Sequence, residues 1–287
     1  MKRILLTVIS ISLGSLLIEL ITAPLRGYVN FLVAGIVAFA LFAVYTSVML
    51  YRCKSIKPVV IIAAILLGWA VINLPLRILY WQIVLISLPE GMMHLLGILS
   101  GYLFWRFNKI GKACYVILSI VLCFLYADNY MQIVNKLKEG TFTGRISETI
   151  KTPIVFQNGN GDSVALSDLD KEYIVLEFWS STCGVCFKKL PEIEKIYNSI
   201  SETEHIAFYS VFCRLSDRNE TPQSGVSTLA DLGYSFPVLS VDWQDPIMKE
   251  IGIKVVPTIV VFDRKGTMIF RGSIELAERY LRQLTAI

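Results

Sequence analysis

Two cysteines three residues apart, Cys183 and Cys186 in the segment FWSSTCGVCFKKLP (Phe178 to Pro191), are the side chains best suited to chemistry in this chain. A thiol pair at that spacing can pass between dithiol and disulfide. The residues before it, Tyr173 to Trp179 (YIVLEFW), are apolar and β-branched, which predicts a strand inside a sheet. After it, Cys186 to Ile200 carries Leu190, Ile193, Ile196, Tyr197 and Ile200 at helical spacing. Cys183 then stands at a helix N-terminus, where free N–H groups and the helix dipole favour a thiolate. Cys186, one turn further in, is placed to attack a mixed disulfide on Cys183. A static disulfide or half of a zinc site would use the same residues. Zinc asks for a second ligand pair, and the sequence offers neither another CxxC nor two histidines at ligand spacing.

The elements around the pair follow a recognisable order. PIVFQNGNGDSVALSDL (Pro153 to Leu169) has the form of a hairpin with Asn158 to Asp162 as its turn. Trp179 closes the strand, Pro191 lies in the helix, and IGIKVVPTIVVFDRKG (Ile251 to Gly266) reads as a proline loop, a strand and a hairpin turn. From about Lys151 to Ile287 the chain thus resembles the thioredoxin superfamily, and within it the membrane-tethered TlpA/ResA-like branch of extracytoplasmic thiol-disulfide oxidoreductases. The resemblance implies an α/β thioredoxin-like fold, with Cys183 attacking and Cys186 resolving. It makes Pro257 the cis-proline, and Trp179, Val256 and Pro257 the residues that receive a peptide. Glu177 stands where thioredoxin has a buried acid that relays a proton to the second cysteine. It alternates with Val175 and Trp179 on one strand face, so a partly buried carboxylate there can act as general base for Cys186. The other reading of Glu177 is a strand-end glutamate that reaches water. Thr182 and Val185 depart from the bulky residue and the proline common in the family, and Gly184-Val185 leaves the redox potential open.

Residues 1 to 150 are a different material. The whole chain is 54% hydrophobic, and its mean hydropathy is +0.59, which calls for a membrane domain. Ile4 to Ala23, Tyr28 to Tyr51, Pro58 to Leu76 and Lys112 to Tyr130 each approach the roughly 20 residues needed to cross the hydrocarbon core. Between Arg77 and Phe107 an interfacial or re-entrant piece, Ile78 to Leu88, leads past Pro89-Glu90-Gly91 into a span from about Met92 to Phe107. The expected architecture is an all-α bundle of about five spans over 1–133, a polar linker over 134–150 and the thioredoxin-like domain over 151–287.

Basic residues fix the orientation. Lys2, Arg3, Arg52, Lys54, Lys57, Arg106, Lys109 and Lys112 fall on alternate ends of the spans, against Arg26 and Arg77 on the other, so the N-terminus is cytoplasmic. An odd number of spans delivers the C-terminal half outside, on the periplasmic face of a bacterial inner membrane. Met1 to Ala23 lacks a small-residue cleavage site and runs into another span, so it reads as an uncleaved anchor. Residues 1 to 150 carry thirteen Lys or Arg against five Asp or Glu, and the remainder fourteen against eighteen. The net basicity therefore belongs to the membrane flanks and gives no reason to invoke nucleic acid.

The other four cysteines exclude functions. Cys53 lies in a cytoplasmic loop, while Cys114 and Cys123 are nine residues apart on one span, about 13 Å of rise and nearly opposite faces. They cannot pair with one another and lack the CxxC of a quinone-linked disulfide generator; a relay would have to pair Cys114 or Cys123 with Cys53, the less favoured reading. Cys213 reads as a small buried residue or an unpaired thiol, with a third redox cysteine as the alternative. Glu19, Arg77, Glu90 and His94 are unusual inside a membrane, and Glu90 and His94 share a face at i, i+4 spacing. They read either as a small polar site beneath the thioredoxin-like domain or, the favoured reading, as interfacial snorkelling with ion pairs that hold the bundle together.

The expected function is thiol-disulfide exchange on exported proteins, in the lipid bilayer and with no metal or organic cofactor. The resemblance tilts the direction toward reduction of substrate disulfides, including those of apocytochromes. Oxidase or isomerase activity is the alternative direction, and a redox-sensing or partner-binding membrane protein the alternative class. The membrane half is expected to anchor rather than conduct electrons, so a separate membrane reductase is the expected partner.

Overall fold

In a computed structural model of the protein, residues 2–79, 84–201 and 203–285 are described, and they form two compact units, the chain dividing between Lys138 and Glu139. The first consists of α1 (Lys2–Tyr28), α2 (Phe31–Arg52), α3 (Pro58–Leu79), α4 (Leu88–Arg106) and α5 (Lys109–Glu139). Four of these are long and apolar enough to cross a membrane: Ile4–Tyr28, Phe31–Arg52, Pro58–Leu79 and Lys109–Glu139. The fifth, α4, buries Pro89, Glu90, Gly91, His94, Gly97, Ser100 and Gly101, a face of small and polar residues that lowers its hydropathy. Of the re-entrant piece expected over Ile78 to Leu88, the first two residues end α3 and Leu85–Ser87 form a 3-10 turn, while residues 80–83 lie outside the described chain.

Small residues let these helices approach closely, as apolar helices in lipid must, since lipid tails compete for ordinary apolar contact. A Cβ on Gly68 of α3 would lie 2.1 Å from the Ser12 carbonyl oxygen of α1, and one on Gly97 of α4 would lie 2.5 Å from that of Phe39 on α2. Hydroxyls join the same seams: Ser12 and Ser15 donate to the carbonyls of Ala64 and Ile65, and Ser47 to that of Gly101. Glu19, Glu90 and His94 are buried inside this bundle, which corrects the snorkelling expectation. Each finds an ionic partner among the helices and so does not need the interface.

The second unit is one eight-stranded sheet, in the order β1-β8-β7-β4-β5-β6-β2-β3, with helices on both faces. Its strands are β1 (Arg145–Thr149), β2 (Val155–Gln157), β3 (Ser163–Ala165), β4 (Tyr173–Trp179), β5 (Ile206–Arg214), β6 (Val238–Asp242), β7 (Thr258–Asp263) and β8 (Thr267–Gly272). The helices are α6 (Gly184–Ser201), α7 (Pro222–Asp231), α8 (Pro246–Glu250) and α9 (Ile274–Thr285). β4 runs through the middle, parallel to β5 and antiparallel to β7, and six of its seven residues are buried. Alternation divides its side chains. Val175 and Trp179 pack with Leu190, Ile193, Ile196 and Ile200 of α6 and with Ala277 and Leu281 of α9, whereas Ile174, Leu176 and Phe178 pack with Phe156, Met248 and Ile251. This is the thioredoxin-like arrangement expected of the C-terminal half. The expected hairpin is β2–β3, its turn closed by Asn158 Oδ1, which accepts from the N–H groups of Asn160 and Asp162. The stretch 134–150, read from sequence as a linker, contains the end of α5 and β1, which pairs antiparallel with β8 at the sheet edge.

The close helix approach makes a testable demand. Gly68→Val should lower the thermal stability of the detergent-solubilised protein by about 1–3 kcal/mol, the usual cost of overpacking, and leave the Cys183–Cys186 redox titration unchanged. An unaltered unfolding midpoint would mean that α1 and α3 are not in contact at Gly68.

Candidate active site

β4 ends at Trp179, and the loop that follows turns directly into α6. Cys183 donates its N–H to the Ser180 carbonyl at 3.1 Å, and its own carbonyl accepts the first helical bond from Phe187 N–H at 3.3 Å. It thereby holds the N-cap position, and its sulfur does what a serine or aspartate oxygen does at a helix start: Cys186 N–H donates to Cys183 Sγ at 3.0 Å. The two sulfurs are joined, with an S–S length of 2.02 Å. Cys186 is buried in the α6 core and Cys183 is half-buried. Thr182, Gly184 and Val185 face outward, Val185 with 58% of its surface exposed. An external thiol or disulfide therefore meets Cys183 before Cys186.

The loop carrying Pro257 lies beside this sulfur. The Val256–Pro257 peptide bond is cis, and the Val256 carbonyl oxygen is 3.6 Å from Cys183 Sγ. Thr258 fixes the loop by donating its hydroxyl to the Val255 carbonyl at 2.7 Å. Val256 and Pro257 are half-buried, so one edge of the loop is open to a ligand.

Glu177 is 1% exposed in the middle of β4, on the strand face shared with Val175 and Trp179, the face against which Cys186 and α6 pack. The water-reaching alternative is thus excluded by its burial. Its hydrogen bond comes from Ser210, directly across on β5, whose hydroxyl donates to Glu177 Oε2 at 2.9 Å. Burial disfavours the anion more than this one bond favours it, and the Glu177 pKa is pushed up to about 8. A group with that pKa can exchange a proton near neutral pH.

One expectation changes. Trp179 is wholly buried between the rings of Phe187 and Phe212, at centroid distances of 6.0 and 4.9 Å. It forms the floor of the site and does not offer a peptide-binding surface, because β4 points it into the α6 core. Cys213, expected as a small buried residue or an unpaired thiol, is a buried free cysteine on the opposite sheet face with Val211 and Leu239, and burial pushes its thiol pKa up, away from thiolate chemistry.

The sequence reading missed Ser210, Ser181 and Glu220. Glu220 accepts the Ser181 hydroxyl on one carboxylate oxygen and the Leu215 N–H, at 2.7 Å, on the other. It straps the loop that precedes Cys183 to the end of β5. Ser210 was visible as the one small polar residue inside the apolar strand IAFYSVFCR; the Glu220 strap left no local signal.

Comparison with known proteins agrees with this geometry. Residues 148–271 match the family model described as AhpC/TSA family. Over 116 residues the chain is 27% identical to a protein named thiol-disulfide oxidoreductase ResA from Halalkalibacterium halodurans, a match that spans 40% of this chain and 61% of that relative's length. A ResA from Bacillus thuringiensis is 27% identical over 131 residues, 44% of this chain and 70% of the relative. Among solved structures, the thioredoxin domain of a thiol-disulfide oxidoreductase from Bacteroides vulgatus superposes with a TM-score of 0.40 at 18% identity, covering 48% of this chain and 97% of that one. The C-terminal half, whose fold is thioredoxin-like, is similar in sequence to proteins named ResA.

The buried carboxylate fixes a pH dependence. Its pKa in the folded chain, about 8, lies above the ordinary value of 4.5, so the native state holds the proton more tightly than the unfolded state does. The stability contribution is fully present below pH 4.5 and is lost as pH rises toward about 8. The loss should reach at most ~1.4 kcal/mol per pH unit. Chemical denaturation of the oxidised protein at several pH values should show this decline, and Glu177→Gln should flatten it. A slope that survives in Glu177→Gln would assign it to another group.

Proposed function

We propose that the protein is a membrane-anchored thiol-disulfide oxidoreductase that uses the Cys183–Cys186 pair outside the cytoplasm to reduce disulfides of exported proteins. The single observation that carries this reading is the asymmetry of the pair: an accessible sulfur that caps a helix, joined to a buried one, beside the open edge of the Val256–Pro257 loop. The names of the ResA relatives agree with it. The basic residues at alternate helix ends support the outward placement.

In the reduced protein, Cys183 thiolate attacks one sulfur of the substrate disulfide. A new S–S bond forms to that sulfur, the substrate bond breaks, and the released substrate thiolate takes a proton. Glu177 accepts the proton of Cys186, whose thiolate attacks Cys183 Sγ and expels the second substrate thiol. Two electrons have then passed to the substrate, and the pair is left as the disulfide seen here. Helix-start N–H groups stabilise Cys183 while it is anionic. The Val256–Pro257 loop offers backbone groups to the substrate chain. Reduction of the disulfide by a separate membrane dithiol protein closes the cycle, since Cys114 and Cys123, about 13 Å of rise apart on α5, cannot pair with each other as a relay.

Alkylation of the reduced protein at neutral pH should modify Cys183 much faster than Cys186. Cys183→Ser should abolish insulin-type disulfide reduction, while Cys186→Ser should accumulate a mixed disulfide with substrate. Equal alkylation rates would remove the assignment of roles, and full turnover in Cys183→Ser would make the outer domain a binding module. Serine at Cys53, Cys114 and Cys123 together should leave the cellular redox state of the pair unaltered; accumulation of fully oxidised protein would identify the membrane half as the electron conduit.

A further inference from the structure

The helical unit contains a closed ring of four ionisable side chains that the dithiol chemistry does not use. Glu19 and Arg26 come from α1, Glu90 and His94 from α4. His94 Nδ1 lies 2.6 Å from Glu19 Oε1, and Nε2 lies 3.5 Å from Glu90 Oε1. Arg26 joins the same two carboxylates from the other side, donating from Nε to Glu90 Oε1 at 2.5 Å and from Nη2 to Glu19 Oε2 at 3.1 Å. The side chains of Glu19, Glu90 and His94 are 0%, 2% and 0% exposed, and that of Arg26 is 23% exposed. Ionisable groups at such depth mark functional sites in membrane proteins.

We infer that this ring is a proton-binding site within the membrane half, in which His94 takes up a proton and bridges Glu19 and Glu90 as an imidazolium. The argument is geometric. A neutral imidazole has one N–H and one lone pair, so whichever nitrogen holds the hydrogen, the other turns a lone pair toward a carboxylate. Only the imidazolium presents a donor to each. The Nδ1 contact is as short as charge-assisted bonds become. Nε2 stands at ion-pair distance from Glu90 without hydrogen-bond alignment, a buried ring nitrogen aimed into the ring of charges with capacity left over. With the proton bound, charge alternates around the ring as Glu19 minus, His94 plus, Glu90 minus, Arg26 plus.

The surroundings complete the site. From α3, Asn73 reaches Glu19, and Arg77 directs its guanidinium to the hydroxyl and carbonyl of Ser87, 3.5 and 3.3 Å away, outside the ring. From α5, Tyr126 and Tyr130 face Glu90, and the Tyr126 hydroxyl is buried without a hydrogen-bond partner. From α2, the Phe42 ring stands 5.5 Å from the His94 ring, at the edge of an apolar cluster of Ile11, Ile18, Ala38 and Ile98. Arg26 is the member of the ring with exposed surface, so the proton enters and leaves at that end. The ring ties α1 to α4.

The chain has two histidines, His94 and His205, and the His205 side chain is 74% exposed, so nitrogen NMR of histidine-labelled full-length protein in lipid nanodiscs gives a spectrum that His205→Gln assigns. At about pH 8, above the ordinary histidine range, both His94 nitrogens should still carry protons. In Glu19→Gln at the same pH, one His94 nitrogen should move to the unprotonated shift; Glu90→Gln serves if that variant does not fold. A neutral tautomer of His94 in the unmodified protein overturns the inference. So does a doubly protonated His94 that persists in a folded Gln variant, because the carboxylates would then not be what holds the proton.

Discussion

The hydrogen bond from Cys186 N–H to Cys183 Sγ fixes the start of α6, and much of the C-terminal unit serves to keep that turn in place. β4 can deliver Cys183 there because it is paired along its length with β5 and β7, so its end does not fray. α6 can hold the other side because Leu190, Ile193, Ile196 and Ile200 are buried, each contributing about 1.5–3 kcal/mol relative to exposure. Lys189 extends the hold by pairing with Glu192 at 2.7 Å and Glu275 at 2.9 Å, which joins α6 to α9. Lys189 and Glu275 remain partly exposed, so this bridge matters more for register than for stability.

Buried carboxylates are used in two different ways in the two units. Glu177 has a serine hydroxyl for a partner and no ion pair, so burial acts on it almost unopposed and leaves it a proton-exchanging group. Glu19 and Glu90 each face a guanidinium and an imidazole, and their desolvation is offset by opposite charge within the same ring. The first arrangement suits a group that must gain and lose a proton during each turnover. The second suits a group that must stay charged so that a neighbouring ring can hold one.

What was legible in the sequence was local. The strand Tyr173 to Trp179, the hairpin around Asn158 to Asp162, the helix after Cys183 and the proline loop all announce themselves within a dozen residues, through alternation, turn residues or helical period. What was not legible depends on partners far along the chain. Ser210 is 33 residues from Glu177, Glu220 is 39 from Ser181, and His94 is 75 from Glu19. The i, i+4 spacing of Glu90 and His94 was visible, but nothing local says that α1 supplies the other carboxylate. β1 escaped for another reason. Its sequence, RISET, is largely exposed, so it joins the edge by backbone pairing without the apolar alternation that marks a strand. Trp179 was found but misassigned, because sequence gives its place at the strand end and not the direction of its ring.

The two sulfurs of the pair sit in different environments, Cys183 half-buried at the helix start and Cys186 buried in the α6 core. Cys183 Sγ already accepts an N–H from the helix start in the oxidised state, and the same donor serves an anion better than a neutral sulfur. In the reduced pair a negative charge on Cys183 therefore costs less than one on Cys186, which is enclosed by apolar residues of α6 and β4. For Cys186 to become a nucleophile, its proton needs a nearby acceptor rather than a nearby cation. In the proposed mechanism that acceptor is Glu177, on the same face of β4, where burial pushes its pKa up to about 8.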